Sequence, residues 1–163
     1  AKEEMEAGFA HHATAEFPIV RDNGKNVRVV VGSLYGASSP VPTVHETIFG
    51  DVHLKPGSKL PLDTDHEERA VYVIDGVIDI SGDKFEAGRL LVFKPGDTVT
   101  ISAVTDTHFV ILGGAPMDGP RHIWWNFVSS RKERIEQAKA DWKAGHFGKV
   151  PGDEIEFIPL PDK

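Results

Sequence analysis

Residues 65–114 constrain the fold more than any other stretch. They open with Asp65-His66-Glu67-Glu68-Arg69-Ala70-Val71-Tyr72-Val73-Ile74-Asp75-Gly76-Val77-Ile78-Asp79-Ile80, an apolar β-rich run, an Asp-Gly pair and a second alternating run. Asp-Gly between two such runs is a strong hairpin signal, because both residues tolerate the positive φ of a tight turn. A strand, a turn and a paired strand are predicted here. Gly82-Asp83 follows, then Leu90-Leu91-Val92-Phe93 closed by Lys94-Pro95-Gly96-Asp97, then residues 99–103, then residues 109–112 closed by Gly113-Gly114. Short strands at this spacing, each bounded by Gly, Pro or Asp, read as a small antiparallel sandwich or barrel, an all-β fold.

The flanking segments extend the pattern. Residues 26–31 place Val27, Val29 and Val31 on one face of a strand set off by the turn Asp22-Asn23-Gly24. Residues 36–42 form a loop, residues 47–54 resume strand character, and Lys55-Pro56-Gly57-Ser58 repeats the turn chemistry of Lys94-Pro95-Gly96-Asp97. Two similar corners suggest a roll. Before them, residues 3–9 have the composition of a short helical turn, stopped by His11-His12-Ala13 and Pro18.

From Arg121 the period changes. Arg121-His122-Ile123-Trp124-Trp125-Asn126-Phe127-Val128 is dense in aromatics, and Ser130 with Glu133 three residues on predicts a capping box. Ile135, Ala138 and Trp142 then share a helix face, Lys132 and Glu136 can pair on the opposite side, and Gly145 is the expected stop. The Pro-rich residues 148–161 are expected to run extended. The chain thus reads as a junction segment (1–20), a barrel (21–118) and an aromatic strand with helix and tail (119–163).

Composition matters mainly for what it excludes. With no cysteine among 163 residues, disulfides, thiolate metal sites and cysteine nucleophiles are ruled out. A net charge of −7 argues against broad binding to nucleic acid. No run approaches a membrane span, and the start lacks the basic segment and apolar core of a signal peptide, so a cytoplasmic protein is expected. No Ser-His-Asp constellation, phosphate-cradling glycine loop or nucleotide fingerprint is present.

The strings Gly113-Gly114-Ala115-Pro116, Pro120-Arg121-His122-Ile123-Trp124-Trp125-Asn126-Phe127-Val128-Ser129-Ser130, Lys132-Glu133-Arg134-Ile135, Val150-Pro151-Gly152-Asp153 and Phe157-Ile158-Pro159-Leu160-Pro161 resemble the C-terminal half of bacterial pirin-like proteins. So does His66-Glu67-Glu68-Arg69-Ala70-Val71-Tyr72-Val73, and the resemblance runs from about Lys2 to Pro161. Pirins are bicupins, with two cupin barrels in tandem. The resemblance implies a cupin-type double-stranded β-helix, a jelly-roll-like barrel, with a C-terminal α-helix. It also implies that Fe(II) and a quercetin 2,3-dioxygenase-like activity belong to an N-terminal cupin outside this sequence, and a transcription-cofactor role for some members.

Cupins hold a metal through a His-x-His pair, a Glu and a later His, donors that suit iron, manganese, nickel and zinc alike. Counted back from Gly76, those positions fall on Leu62, Thr64 and Glu68; counted forward from Gly57, the histidine positions fall on Asp63 and Asp65. The last histidine position falls on Val99. Both registers lack the imidazoles, so no metal and no catalytic residue are expected in this chain, which alone is expected not to be an enzyme. The cluster Asp63, Asp65, His66, Glu67, Glu68 and Arg69 is then a solvated face of local ion pairs. The rival is a functional group in which His66 and Glu68, with Asp63 and Asp65, are metal ligands or polar groups at the barrel mouth.

The remaining histidines form no obvious set. His45 and His53 are too far apart along a strand for one ion, His11-His12 diverge, and His108 and His122 have no partner that the sequence places. Trp124 and Trp125, read as strand neighbours, face opposite ways, so one can lie against another domain while the other fills the barrel. Alternatively, the C-terminal helix covers both. The expected partner is the N-terminal cupin of the same protein or a second copy of the chain, with no direct nucleic-acid or membrane contact. An autonomous small metalloenzyme and a transcription-cofactor module are the other readings.

Overall fold

The computed structural model describes residues 4–6, 8–62 and 64–161. They divide into two compact units, residues 6–116 and residues 117–161 with residues 4–5. The helical turn expected over residues 3–9 includes Glu3 and Ala7, which lie outside the described residues. Among the described residues no helix is long and apolar enough to cross a membrane.

The larger unit is a pair of antiparallel sheets. One has six strands in the order β1 (Ile19–Asp22), β2 (Lys25–Val31), β5 (Thr47–Leu54), β12 (Thr107–Gly114), β7 (Glu68–Asp75) and β10 (Leu90–Phe93). The other has four, in the order β6 (Lys59–Pro61), β11 (Thr100–Ala103), β8 (Val77–Ile80) and β9 (Asp83–Glu86). Two short strands, β3 (Ser33–Leu34) and β4 (Ala37–Ser38), pair with each other. Alternation along each strand drives one face inward: Val27 and Val29, Ile48 and Val52, Val71 and Val73, and Phe109 and Ile111 from the larger sheet join Leu60, Ile78 and Ile101 from the smaller in one core. Val31 drops out of that face because the β2–β5 register shifts after Val29.

Three corners carry the chain from the six-stranded to the four-stranded sheet. Two are the Lys-Pro-Gly turns, with Gly57 and Gly96 at φ 80° and 82°. The third is Asp75-Gly76, with Gly76 at φ 80°. The hairpin expected there is not formed. Strand β7 already has β12 on one edge and β10 on the other, so β8 finds no free edge and pairs with β11 and β9 instead. The tight hairpin lies one strand later, between β8 and β9, where Ser81 and Gly82 take φ 56° and 96°. Strand β1, which the sequence reading placed in no sheet, pairs with β2 through Asn23 and Gly24.

The smaller unit consists of β13 (His122–Trp124), β14 (Phe127–Ser129) and α1 (Lys132–Ala144). The aromatic run is a hairpin rather than one strand: Trp124 pairs with Phe127, and Trp125 sits in the turn at φ 49°. The strand alternation expected to send the two tryptophans to opposite faces therefore does not apply. The cap of α1 is Arg131, one residue beyond Ser130, which moves Glu133 out of the position a capping box requires. Glu136 pairs with Lys139 at 2.7 Å, not with Lys132. Ile135 and Ala138 are buried as the helix period requires, and Gly145 ends the helix in the left-handed conformation at φ 71°.

Candidate functional site

The inward face of the barrel decides what the inherited ligand positions can do. Leu62 and Val99 are both buried in the core, and the Leu62 amide donates to the Val99 carbonyl at 2.8 Å. Thr64 and Asp65 are exposed, and Asp63 lies outside the described residues. Glu68 begins β7 on the exposed side, opposite Gly114. The next residue, Arg69, turns inward and is 2% exposed. Its Nη2 donates to the Asp97 carbonyl at 2.8 Å, two residues from Val99. Of the counted ligand positions, Leu62 and Val99 are thus aliphatic and buried, Thr64 is exposed, and Glu68 faces outward while its neighbour Arg69 faces in.

His66 is tied elsewhere. Its Nδ1 lies 2.7 Å from Glu46 Oε1 and its Nε2 2.8 Å from the Ser33 carbonyl. Each ring nitrogen therefore has an acceptor oxygen at hydrogen-bond distance, on a residue far from Glu68 in sequence. Neither His66 nor Glu68 joins a convergent group of three or more ligand-type residues among the described residues. Nor does His45, whose Nε2 meets the Ala115 carbonyl at 2.9 Å, or His12, which meets Glu16 at 3.1 Å.

One group of ligand-type residues does converge, on the outer face of the six-stranded sheet. Asp51 and His53 are two apart on β5 and so share a face, and cross-strand register sets His108 of β12 directly beside His53. His108 Nε2 lies 2.6 Å from Asp51 Oδ1 and His53 Nε2 3.9 Å from Asp51 Oδ2. The two imidazole rings stack at 4.1 Å with planes 13° apart. Arg28 on β2 reaches Asp51 Oδ2 from the other side at 3.4 Å. His53 and His108 also line a cleft of about 450 Å³ with Lys25, Lys55, Asp75 and Asp106. Sequence reasoning left His108 without a partner. The Asp51-x-His53 spacing was the available signal; the β5–β12 pairing that completes it is a long-range fact.

Toward β10 the same outer face carries two apolar rows. Leu90, Tyr72 and Val110 form one cross-strand row, and Val92, Ala70 and Leu112 the next. Val92 is 75% exposed and Leu90 57%. A solvated sheet face would be polar. In the smaller unit, Trp125 packs edge-on against Trp142 at 5.1 Å, and Trp124 stacks near Phe127 at 6.1 Å under the Lys139 ammonium. Both tryptophans are half-buried.

Comparison with known proteins agrees with this architecture. Residues 49–148 match the Pirin C-terminal cupin domain. A pirin-like protein of Caulobacter vibrioides is 42% identical over 161 residues, covering 98% of this chain and 56% of that protein. Human pirin is 28% identical over 152 residues, covering 85% of this chain and 50% of that protein. A crystal structure of a quercetin 2,3-dioxygenase from Acinetobacter baumannii superposes with a TM-score of 0.76 at 24% identity, over 83% of this chain and 49% of that one. The chain thus spans about half the length of the curated relatives it matches. Two curled antiparallel sheets, the matched residues and the relatives together establish that the chain belongs to the pirin family, with residues 49–148 forming its C-terminal cupin domain.

Proposed function

We propose that this chain is the supporting half of a two-barrel protein. Its cupin, with no metal in its interior, buttresses an iron-binding N-terminal cupin whose activity is of the quercetin 2,3-dioxygenase kind. The observation that carries this reading is the barrel interior: Leu62 and Val99 put methyl groups at counted donor positions, and the inward residue beside Glu68 is a buried cation, Arg69. A redox metal needs several protein ligands and open positions, and these residues supply neither. Iron does not fit here, and no catalytic step passes through this barrel.

The apolar rows on β10, β7 and β12 support the partner half of the proposal. Val92, Leu90 and Tyr72 are their exposed members, and exposed apolar side chains grouped this way are where another protein surface docks. Trp124 and Trp125 are the further candidates for that contact. The occupant is the N-terminal cupin of the same protein, with self-association as the competing outcome. Sedimentation velocity is expected to show the chain binding a separately expressed N-terminal barrel, and Val92→Asp to weaken that binding at least ~10-fold, since a charge buried against apolar surface is strongly disfavoured. With Fe(II) under reducing conditions the isolated chain is expected to consume no oxygen in the presence of quercetin. A monomer at high concentration that ignores the N-terminal barrel would remove the partner. Quercetin- and iron-dependent oxygen uptake lost in Glu68→Ala would restore the autonomous enzyme.

A further inference from the structure

We infer that Asp51, His53 and His108 form a divalent-cation site on the outer face of the six-stranded sheet, with a two-histidine, one-carboxylate donor set suited to Zn(II). It is separate from the barrel interior and does not rest on the pairing with a second barrel. The expectation of a metal-free chain followed the inherited positions alone, where His108 had no partner.

The geometry is close to what an ion needs. The two Nε2 atoms converge on the same carboxylate, at 2.6 Å from Oδ1 and 3.9 Å from Oδ2. Ligand atoms of the three side chains all lie within 4.8 Å of one another. Donors that each sit about 2.0–2.1 Å from a tetrahedral ion are about 3.3 Å apart; His108 lies inside that separation from Oδ1 and His53 beyond it from Oδ2. A small rotation of the His53 ring closes the wider gap. His53 is free to make it, with its side chain 57% exposed.

The mounting is rigid where it matters. Asp51 and His53 come from one strand, and His108 from the neighbour paired to it without a break between Thr107 and Gly114. The two rings stack at 4.1 Å with their planes 13° apart. The adjoining cleft opens to solvent and sets Asp75 and Asp106 against Arg21, Lys25 and Lys55, with Lys55 paired to Asp106 at 2.8 Å, so the attraction for a cation comes from the net charge of −7 over the whole chain and from Asp51 itself. Two imidazoles select zinc over calcium or magnesium, which prefer all-oxygen cages. With three protein donors the fourth position is left to water. Arg28 is the counterweight: its guanidinium occupies Asp51 Oδ2 at 3.4 Å and competes with any bound ion.

The test is a zinc titration of the metal-stripped chain, read by competition with a chromogenic chelator and by the histidine ring resonances. One equivalent of Zn(II) is expected, broadening or shifting the signals of His53 and His108, with no displacement by millimolar Ca(II) or Mg(II). His53→Ala, His108→Ala and Asp51→Asn are each expected to weaken binding at least ~10-fold, the loss that even a change behind the ligands brings. Arg28→Gln is expected to tighten it. Zinc added in excess is expected to raise the melting temperature of the unaltered chain and not that of His53→Ala, whose exposed position spares the fold. Absence of binding at millimolar zinc, or binding that survives loss of both histidines, would overturn the assignment. So would an Arg28→Gln variant that binds more weakly.

Discussion

Gly76→Ala is expected to lose at least ~4 kcal/mol of stability, the range reached only by steric or core disruption. At about 2–4 °C per kcal/mol for a chain of this size, the melting temperature falls by roughly 10 °C or more. An added Cβ at this corner meets the Asp106 carbonyl oxygen at 2.2 Å and the Thr107 Cα at 2.9 Å, both backbone atoms of the facing β11–β12 connection. Neither can move without disturbing Thr107, the first residue of β12. Gly57→Ala and Gly96→Ala are the controls, because both glycines have the same φ but nothing within 4 Å of the added atom. They lose only the backbone strain of an alanine in the left-handed region, about 1–3 kcal/mol. Urea unfolding of the three variants measures the difference, and equal losses would mean that the contact at Gly76 contributes nothing.

Arg69→Ala is the second large effect, expected at about 3 kcal/mol. The side chain is 2% exposed, and its guanidinium donates to the Asp97 carbonyl at 2.8 Å inside the barrel. A hydrogen bond from a charged donor contributes about 1.5–3 kcal/mol, and removing its long stem from a buried position adds a cavity term. Arg69→Met keeps most of the stem and removes the charge, so it is expected to cost less than Arg69→Ala. Denaturant midpoints with unchanged slopes would report this as a stability difference. An Arg69→Ala loss below about 0.5 kcal/mol, the level of a neutral surface change, would contradict a structural role for the buried cation.

What the residues reveal without a structure follows the range of the interaction. Strand β5 is legible from its period, and both Lys-Pro-Gly corners from turn chemistry, since these depend on neighbours in sequence. Asp75-Gly76 carries the same local signal as a hairpin. It becomes a corner only because β12 and β10 occupy both edges of β7, a fact of distant pairing. The Glu68 position shows how a small slip matters: in a strand, one residue decides between solvent and core, and Arg69 is the residue that faces in. His108 finds His53 through register across a sequence separation of 55 residues, which periodicity cannot supply. Trp125 departs from the strand expectation because it takes a positive φ, rare for a bulky aromatic; packing against Trp142 and Phe127 holds it in the turn.

The aromatic cluster of the smaller unit also divides the molecule spectroscopically. The chain has three tryptophans, at positions 124, 125 and 142, and all three lie in the unit built from β13, β14 and α1. The barrel holds the two tyrosines, Tyr35 and Tyr72, and no tryptophan. Intrinsic fluorescence excited at the tryptophan band therefore reports the C-terminal hairpin and helix, while far-ultraviolet circular dichroism is weighted by the barrel strands. Coincident transitions by the two probes would mark one cooperative system; an earlier fluorescence transition would mark a C-terminal unit that melts while the barrel stays intact.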